Sequence, residues 1–360
     1  MPEGAMVAGA APVMRRKTSY AALAVSTALL ASCSGSDDVE LGTDWKGSQT
    51  YVTAIVSGHT VVVGINPVAH HAQALAVVPQ KDGDDDVLAP QLGQSADGTW
   101  WLSTPRDGDR PDRLFTLNTA RQTLDEKDDT ERLRELVPGK SLVAAVHGSP
   151  GHDQGAATAD GKTTSVLVRD AKTWKKVRDV RVPGSVTLAA SDPSSDTVCL
   201  ATGQGSGMKV SVLDLATGRT RQAGQAGGVQ VQQLACPAGT PVLAGTPTRN
   251  NRGTTVKVTL KNADGATVVS AVGGRVDAVQ ASKNTVVVAV NIGEDSDLIE
   301  LDRGSGRELR RVTVKGMDSS SLLRHTRDGW VMISDDTATV VDLDKRTSQT
   351  FDLPGTLTSF

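Results

Sequence analysis

Aromatic side chains are scarce in this sequence: five Trp, two Tyr and three Phe among 360 residues. A core without them must be built from small aliphatic groups, and Val, Ala and Thr are abundant. Cysteine is nearly absent as well, with three residues and no Cys-X-X-Cys pair, which excludes a disulfide-framework protein and the usual zinc or redox spacing. Charge of one sign is missing too. The formal net charge is −3, so the broad basic surface of a nucleic-acid binder is not there. No apolar run approaches the roughly 20 residues of a membrane-spanning helix. The motifs Gly-X-Ser-X-Gly, Gly-X-X-X-X-Gly-Lys-Ser/Thr and His-Glu-X-X-His are also absent, and with them the local signatures of serine hydrolases, P-loop enzymes and zinc peptidases.

What is present begins near the N-terminus. Arg15, Arg16 and Lys17 precede an uncharged, mostly apolar stretch from Tyr20 to Leu30, which is closed by Ala31, Ser32 and Cys33. A basic cluster, a short apolar segment and small residues form the grammar of an export signal. Leu30-Ala31-Ser32-Cys33 resembles the lipobox of bacterial lipoproteins. The resemblance implies that residues 1–32 are a signal peptide, with Met14 as an alternative start. It further implies that Cys33 becomes the first mature residue and carries a fatty-acyl anchor at the extracytoplasmic face of the cell membrane. An ordinary cleavage site with a chance cysteine is the competing reading. Residues 33–48 contain Ser, Gly and Asp and few large apolar groups, so they read as a flexible tether. Residues 49–360 are then the folded domain.

That domain repeats itself. Val210–Arg219 alternates apolar and polar residues, reaches Asp214 and turns at Thr217-Gly218; Leu298–Arg307 does the same through Asp302 and Gly306. Looser copies end at Asp170 and Asp342, and degenerate ones at Asn118 and Asn262. In each, the Asp or Asn side chain can accept amide hydrogens of the turn, and glycine tolerates positive φ. The six positions are 52, 44, 48, 40 and 40 residues apart, with two more strand-like runs in each interval. Four strands per 40–50 residues is the sequence form of a β-propeller blade. Runs counted as second strands are Thr60–Ile65, Thr99–Ser103, Ser141–Val146, Thr197–Ala201, Pro241–Gly245, Thr285–Val290 and Trp330–Ser334. They predict an all-β, seven-bladed propeller of four-stranded antiparallel blades, with six or eight blades as alternatives. The first unit is irregular, its fourth strand being sought around Lys81–Pro90. Pro354–Ser359 reads as the opening strand of a blade that has no continuation, so it is expected to close the ring by joining the first unit.

The turn Asp214–Arg219 resembles the repeats of pyrroloquinoline-quinone-like propellers, and the four-strand period is similar to that of WD-repeat propellers. This resemblance implies the fold. A quinoprotein blade carries a tryptophan docked at a fixed place. Here Trp45, Trp100, Trp101, Trp174 and Trp330 fall at different places in the repeat, so no quinone or other cofactor is expected.

Candidate site residues are few. His70, His71, His147, His152 and Asp153 hint at a metal, but zinc wants three or four ligands with a fixed geometry, and no metal site is expected. Asp82–Asp86 lacks the ordered spacing of a calcium loop and reads as a charged surface turn. Asp125–Arg134 reads as a solvated loop or edge. Lys172, Lys175, Lys176, Arg178 and Arg181 surround Trp174. They either meet anionic lipid or wall-polymer phosphates, or sit on an outer strand and block edge-to-edge pairing, the second being favoured. Export would permit a Cys199–Cys236 disulfide, with two buried free thiols as the alternative.

The sequence therefore points to a monomeric, lipid-anchored propeller that binds a protein or ligand at the cell surface, or serves as a scaffold there, without contacting nucleic acid. The alternative is a propeller enzyme, either a quinone-dependent oxidoreductase or a lactonase-like hydrolase, with ionisable groups converging at the central channel. Anchoring is tested directly by Cys33→Ala. In cells fed a labelled fatty acid, the variant is expected to lose the label and leave the membrane fraction, and equal label in both proteins would remove the lipid anchor from the account.

Overall fold

The computed structural model describes residues 38–80, 90–104, 106, 111–127, 133–147, 163–192, 194–204, 207–247, 259–262, 267–269 and 274–358. They belong to a compact unit from Ser36 to Phe360. The described strands pair as successive antiparallel sheets in chain order. The first contains β1 (Thr50–Val56), β2 (His59–Asn66) and β3 (His71–Val77); the second β4 (Gln91–Gln94), β5 (Trp100–Thr104), β6 (Arg113–Asn118) and β7 (Thr123–Glu126). The third contains β8 (Leu133–Pro138), β9 (Leu142–His147), β10 (Thr163–Asp170) and β11 (Lys176–Pro183); the fourth β12 (Val186–Asp192), β13 (Thr197–Thr202), β14 (Lys209–Asp214) and β15 (Thr220–Gln225). The fifth contains β16 (Val229–Ala235), β17 (Val242–Pro247), β18 (Thr259–Asn262) and β19 (Thr267–Val269); the sixth β20 (Arg275–Ala281), β21 (Thr285–Asn291), β22 (Ser296–Asp302) and β23 (Glu308–Val314). The seventh contains β24 (Leu322–Thr326), β25 (Gly329–Ile333), β26 (Thr337–Asp342) and β27 (Thr347–Asp352). The last strand, β28 (Thr356–Leu357), returns to β1, pairing Leu357 with Ala54, and gives the first sheet its fourth member.

Both faces of these sheets are buried, and strand periodicity decides which residue faces which neighbour. In β21, Val286, Val288 and Val290 pack toward the fifth sheet, while Val287 and Ala289 pack toward the seventh. In β2, Val61, Val63 and Ile65 join a cluster with Val331, Ile333 and Ala338 of the seventh sheet, and Val62 joins Trp100, Leu102 and Phe115 of the second. The other apolar clusters join the second sheet to the third, the third to the fourth, and the fourth to the fifth. Four-stranded antiparallel sheets stacked face to face through such cores make a β-propeller. Two-sided burial explains why "TVVVAVN" is continuously apolar rather than alternating with polar residues.

The hairpin between the third and fourth strands has one geometry wherever it lies in the described residues. Asp170, Asp214, Asp302 and Asp342 each accept the amide hydrogen three residues on, from Thr173, Thr217, Ser305 and Lys345, at 2.7–2.9 Å. The residue one further on is left-handed: φ is +73° at Gly218 and +70° at Gly306, whose amides bond back to the Asp214 and Asp302 carbonyls. The other turns spend a side chain on that conformation, with φ of 58° at Trp174 and 56° at Arg346. Asn66 and Asn118 build the same turn, accepting from Ala69 and Arg121 and placing His70 and Gln122 in the left-handed region.

Asn66 corrects the reading of the first unit. Thr60–Ile65 lies in the third strand of its sheet, not the second, and the outermost strand is β3 rather than a segment around Lys81–Pro90, which is mostly outside the described residues. The chain enters this sheet at its second place because β28 supplies the first. Part of the 33–48 segment expected to be a tether packs against the folded unit. Val39 and Trp45 are buried in the cores flanking the first sheet, and the Tyr51 hydroxyl donates to the Trp45 carbonyl at 2.8 Å.

The terminal strand is held closely. Leu357 is buried, its amide donates to the Asp335 carbonyl at 2.6 Å, and the Thr358 amide donates to the Thr53 carbonyl at 2.9 Å. A Cβ at Gly355 would stand 2.1 Å from the Ile55 carbonyl oxygen, so only glycine fits there. Removing residues 355–360 is expected to lower Tm by about 3–6 °C and to promote aggregation, since it deletes a buried Leu and exposes the β1 edge. A thermal melt with light scattering checks this, and an unchanged melt of a monomeric truncation would show the strand to be dispensable.

Candidate functional site

The strands that approach one another from sheet to sheet are β4, β8, β12, β16, β20 and β24, with β1 reaching β4. They form the inner edge of the propeller, and in β8, β12, β16 and β20 the opening residues depart from regular pairing. The register of β8 against β9 slips between Leu133 and Glu135, leaving Arg134 bulged out. The same slip leaves Thr187 extra in β12, Gln232 in β16 and Asp277 in β20, whereas β24 pairs without a slip. A bulge re-aims a side chain and releases it from the ladder. Here the re-aimed groups are polar, and three of them bind the next sheet. The Arg134 guanidinium donates to the carbonyls of Val186 and Thr187. Gln232 accepts the Val276 amide hydrogen at 3.1 Å, and Asp277 accepts that of Ser320 at 3.0 Å. The adjoining Gln233 donates to the Asp277 carbonyl at 2.6 Å, and Gln280 donates to the Leu323 carbonyl at 2.9 Å. Arg275 closes on Asp277 at 2.7 Å.

Two ionisable groups on these strands stand outside that network. Glu135 in β8 and Arg324 in β24 have no hydrogen bond or ion pair among the described residues. Both are half-buried. Burial pushes the Glu135 carboxyl up from 4.5 to about 7, against the opposing pull of Arg134. Burial alone pulls the Arg324 guanidinium down to about 10. Register sets their relative height. Glu135 pairs with Val146, which pairs with Val166, four residues before Asp170. Leu322 holds the same place before Asp342 through Ile333 and Ala338. Arg324 is therefore two residues further along its strand, about 7 Å at strand spacing.

A second concavity of about 640 Å³ lies between the sixth and seventh sheets, lined by Glu300, Arg310, His325, Trp330, Asp344 and Lys345 among others. Its charges are spent on one another. Arg310 meets Asp344 at 2.5 Å and Glu300 at 3.4 Å, and Lys345 meets Asp342 at 2.8 Å. The His325 ring lies 4.6 Å from that of Trp330. The inner edge, with unspent charge, is the better candidate for a ligand.

The residues singled out by sequence are scattered over this frame. Leu30, Ala31, Ser32 and Cys33 lie outside the described residues, as do His152, Asp153 and Asp82–Asp86. His71 contacts Asp44 at 3.6 Å and Gln73 at 2.6 Å, and His147 ends β9 in another sheet. The sulfurs of Cys199 and Cys236 are bonded, with Cα atoms 5.6 Å apart, which staples the fourth sheet to the residue that follows β16. The basic strip lies on and just before the outer strand β11. Lys176 pairs with Asp179, Arg178 donates to the Ala216 carbonyl, and Trp174 is buried against Trp101, ring centres 4.6 Å apart. Asp125 and Glu126 end the outermost strand β7 of their sheet, the edge that the sequence reading allowed, and Leu133 and Arg134 open β8. Glu126 pairs at 3.0 Å with the buried Arg113, Leu133 is buried, and Arg134 is one of the bulged residues. Sequence reasoning missed the inner-edge groups. Their one trace is a polar residue recurring near the start of four opening strands, at 134, 187, 232 and 277.

No family model matches the chain. No curated protein matches it either. Solved structures do share its fold. A prolyl endopeptidase superimposes with TM-score 0.55 at 12% identity, covering 86% of this chain and 50% of its own. An acylaminoacyl peptidase of Pyrococcus horikoshii gives 0.52 at 11%, covering 84% and 52%. The uncharacterized protein lmo1340 of Listeria monocytogenes EGD-e gives 0.54 at 11%, covering 90% and 97%. The chain thus spans about half the length of the two peptidases, and the likeness is one of fold.

Glu135 makes stability depend on pH in a definite direction. Its carboxyl holds a proton more tightly when folded, so the native state carries no penalty below pH 4.5 and acquires one as pH rises toward 7. Between pH 4.5 and 8 the protein is expected to lose about 2–3 kcal/mol that a Glu135→Gln variant keeps. Urea titrations of both proteins at the two pH values check this, and parallel losses would mean that Glu135 is solvated.

Proposed function

We propose that this protein is a lipid-anchored, extracytoplasmic β-propeller that binds a ligand or partner at its inner edge. Its sheets are read as seven blades of one ring, with β28 completing the first. What carries the binding reading is the state of the inner-edge groups. Amides and hydroxyls there are fixed by bonds from sheet to sheet, and two charged side chains are left without partners. A hydrolase would need a nucleophile within hydrogen-bond reach of a base. The hydroxyls of the inner strands instead serve backbone carbonyls, Thr187 that of Gly203 and Ser191 that of Pro138, and this favours binding over catalysis.

The anchoring part rests on Leu30-Ala31-Ser32-Cys33 and draws support from the Cys199–Cys236 bond, since disulfides persist in oxidising compartments and are rare in the reducing cytosol. The test is crosslinking of living cells followed by capture of the protein, with Glu135→Gln at the inner edge and Lys176→Glu with Arg181→Glu on the outer strand. Partner or ligand recovery is expected to fall several-fold for the inner variant and to hold for the outer one. The reverse pattern would move the binding surface to β11.

A further inference from the structure

We propose that Arg324 is the anion-binding group of the inner edge and that the ligand presents an oxyanion to it, a carboxylate or a phosphate. This rests on the reading that the inner edge binds a ligand, and it names the chemistry of that ligand.

Three arginines lie on the inner strands, and two have structural work. Arg134 in β8 donates through both terminal nitrogens to carbonyls of the neighbouring sheet. Arg275 in β20 is paired with Asp277. Arg324 in β24 does neither, although its strand lies beside β20, where the same kind of bond is made by Gln280 to the Leu323 carbonyl. The register places Arg324 level with that Gln280: each pairs with a second-strand residue whose own partner stands two positions before Asp302 or Asp342. An arginine retained for the frame would reach a carbonyl or carboxylate, as its two counterparts do. A half-buried guanidinium that meets no protein acceptor keeps its donors open while losing part of its hydration. The carboxylate of the inner network is already taken, Asp277 by Ser320 and Arg275. Glu135 stands on the third sheet rather than a sheet next to β24, at a different height. The group that would satisfy the fork is therefore an anion from outside the chain, and the planar guanidinium matches two oxygens of a carboxylate or phosphate at once.

The test uses the mature full-length protein in thermal melts, with sodium acetate or sodium phosphate titrated from 0 to about 20 mM and ionic strength held constant with sodium chloride, because a ligand that binds only the native state raises Tm by mass action. A saturable rise of a few degrees is expected with at least one anion. A rise with phosphate alone assigns a phosphate-bearing ligand, and a rise with acetate assigns a carboxylate. Arg324→Gln is expected to fold and to lose the rise. Arg324→Lys keeps the charge but not the fork and is expected to weaken the response about tenfold, the equivalent of roughly 1.4 kcal/mol. No saturable rise with either anion, an undiminished rise in Arg324→Gln, or, should that variant fail to fold, an undiminished response in Arg324→Lys would each overturn the assignment. If the anion response is absent while partner capture still depends on Glu135, the inner edge binds a ligand, but not through an oxyanion at Arg324. If capture moves to the outer strand, the broader reading fails instead.

Discussion

The structure depends on one constraint: no sheet has a solvent face. Each must find apolar partners on two sides, and the only supply is the sheet before it and the sheet after it. With so few aromatic rings, the partners are Val, Ala, Leu and Ile, whose small and branched shapes interlock at strand spacing. The constraint also fixes the ends. Val331, Ile333 and Ala338 of the seventh sheet face β2, and Leu357 arrives in the same cluster from the C-terminus. A strand of two residues with one buried leucine is a small element. Its position between the first and last sheets gives it weight beyond its length.

The bulged opening strands solve a problem that two-sided burial creates. Where the sheets crowd together at the inner edge, side chains on both faces compete for space, and backbone amides near the strand starts lack a ladder partner. In β8, β16 and β20, releasing one residue from the ladder puts a polar side chain where it can reach the adjacent sheet. Gln232 and Asp277 satisfy the Val276 and Ser320 amides in this way, at separations of 44 and 43 residues. The disulfide acts at the same level of organisation, since Cys199 and Cys236 lie in the shared core of the fourth and fifth sheets.

How much of this was legible in the sequence depends on whether a local chemical rule left a residue behind. The turn rule did. Asp214 followed by Gly218, and Asp302 followed by Gly306, could be found because glycine marks a left-handed residue. Asn118, Asp170 and Asp342 lack that mark, since Gln122, Trp174 and Arg346 take the left-handed place, and were found as looser or degenerate copies at the repeat spacing; Asn66, with His70 in that place, was missed. Missing Asn66 displaced the first unit by one strand, which is why an outer strand was sought beyond Lys81. The inner-edge site was illegible for a different reason. Glu135 and Arg324 are nearly 190 positions apart on strands in separate sheets, and neither strand differs in composition from a dozen others. Only the register, and the absence of the bonds that Arg134 and Arg275 make, separates them from ordinary surface charges.

That contrast also says where binding can evolve on such a frame. Outer strands such as β11 face solvent along one edge, and their lysines and arginines remain hydrated whatever else they do. The hairpin turns are rigid but commit their carboxylates to their own amides: the Thr173 amide and hydroxyl hold the Asp170 carboxyl below its usual range, and the Ser305 hydroxyl and amide do the same for Asp302. The cleft between the sixth and seventh sheets neutralises itself. At the inner edge, by contrast, strands from different sheets meet at fixed spacing, desolvation amplifies whatever charge is present, and the frame's own needs are met by a few bulged residues. A side chain there that takes no part in those bonds costs stability and yields no rigidity in return. On the reading proposed above, such a side chain faces a ligand rather than the fold.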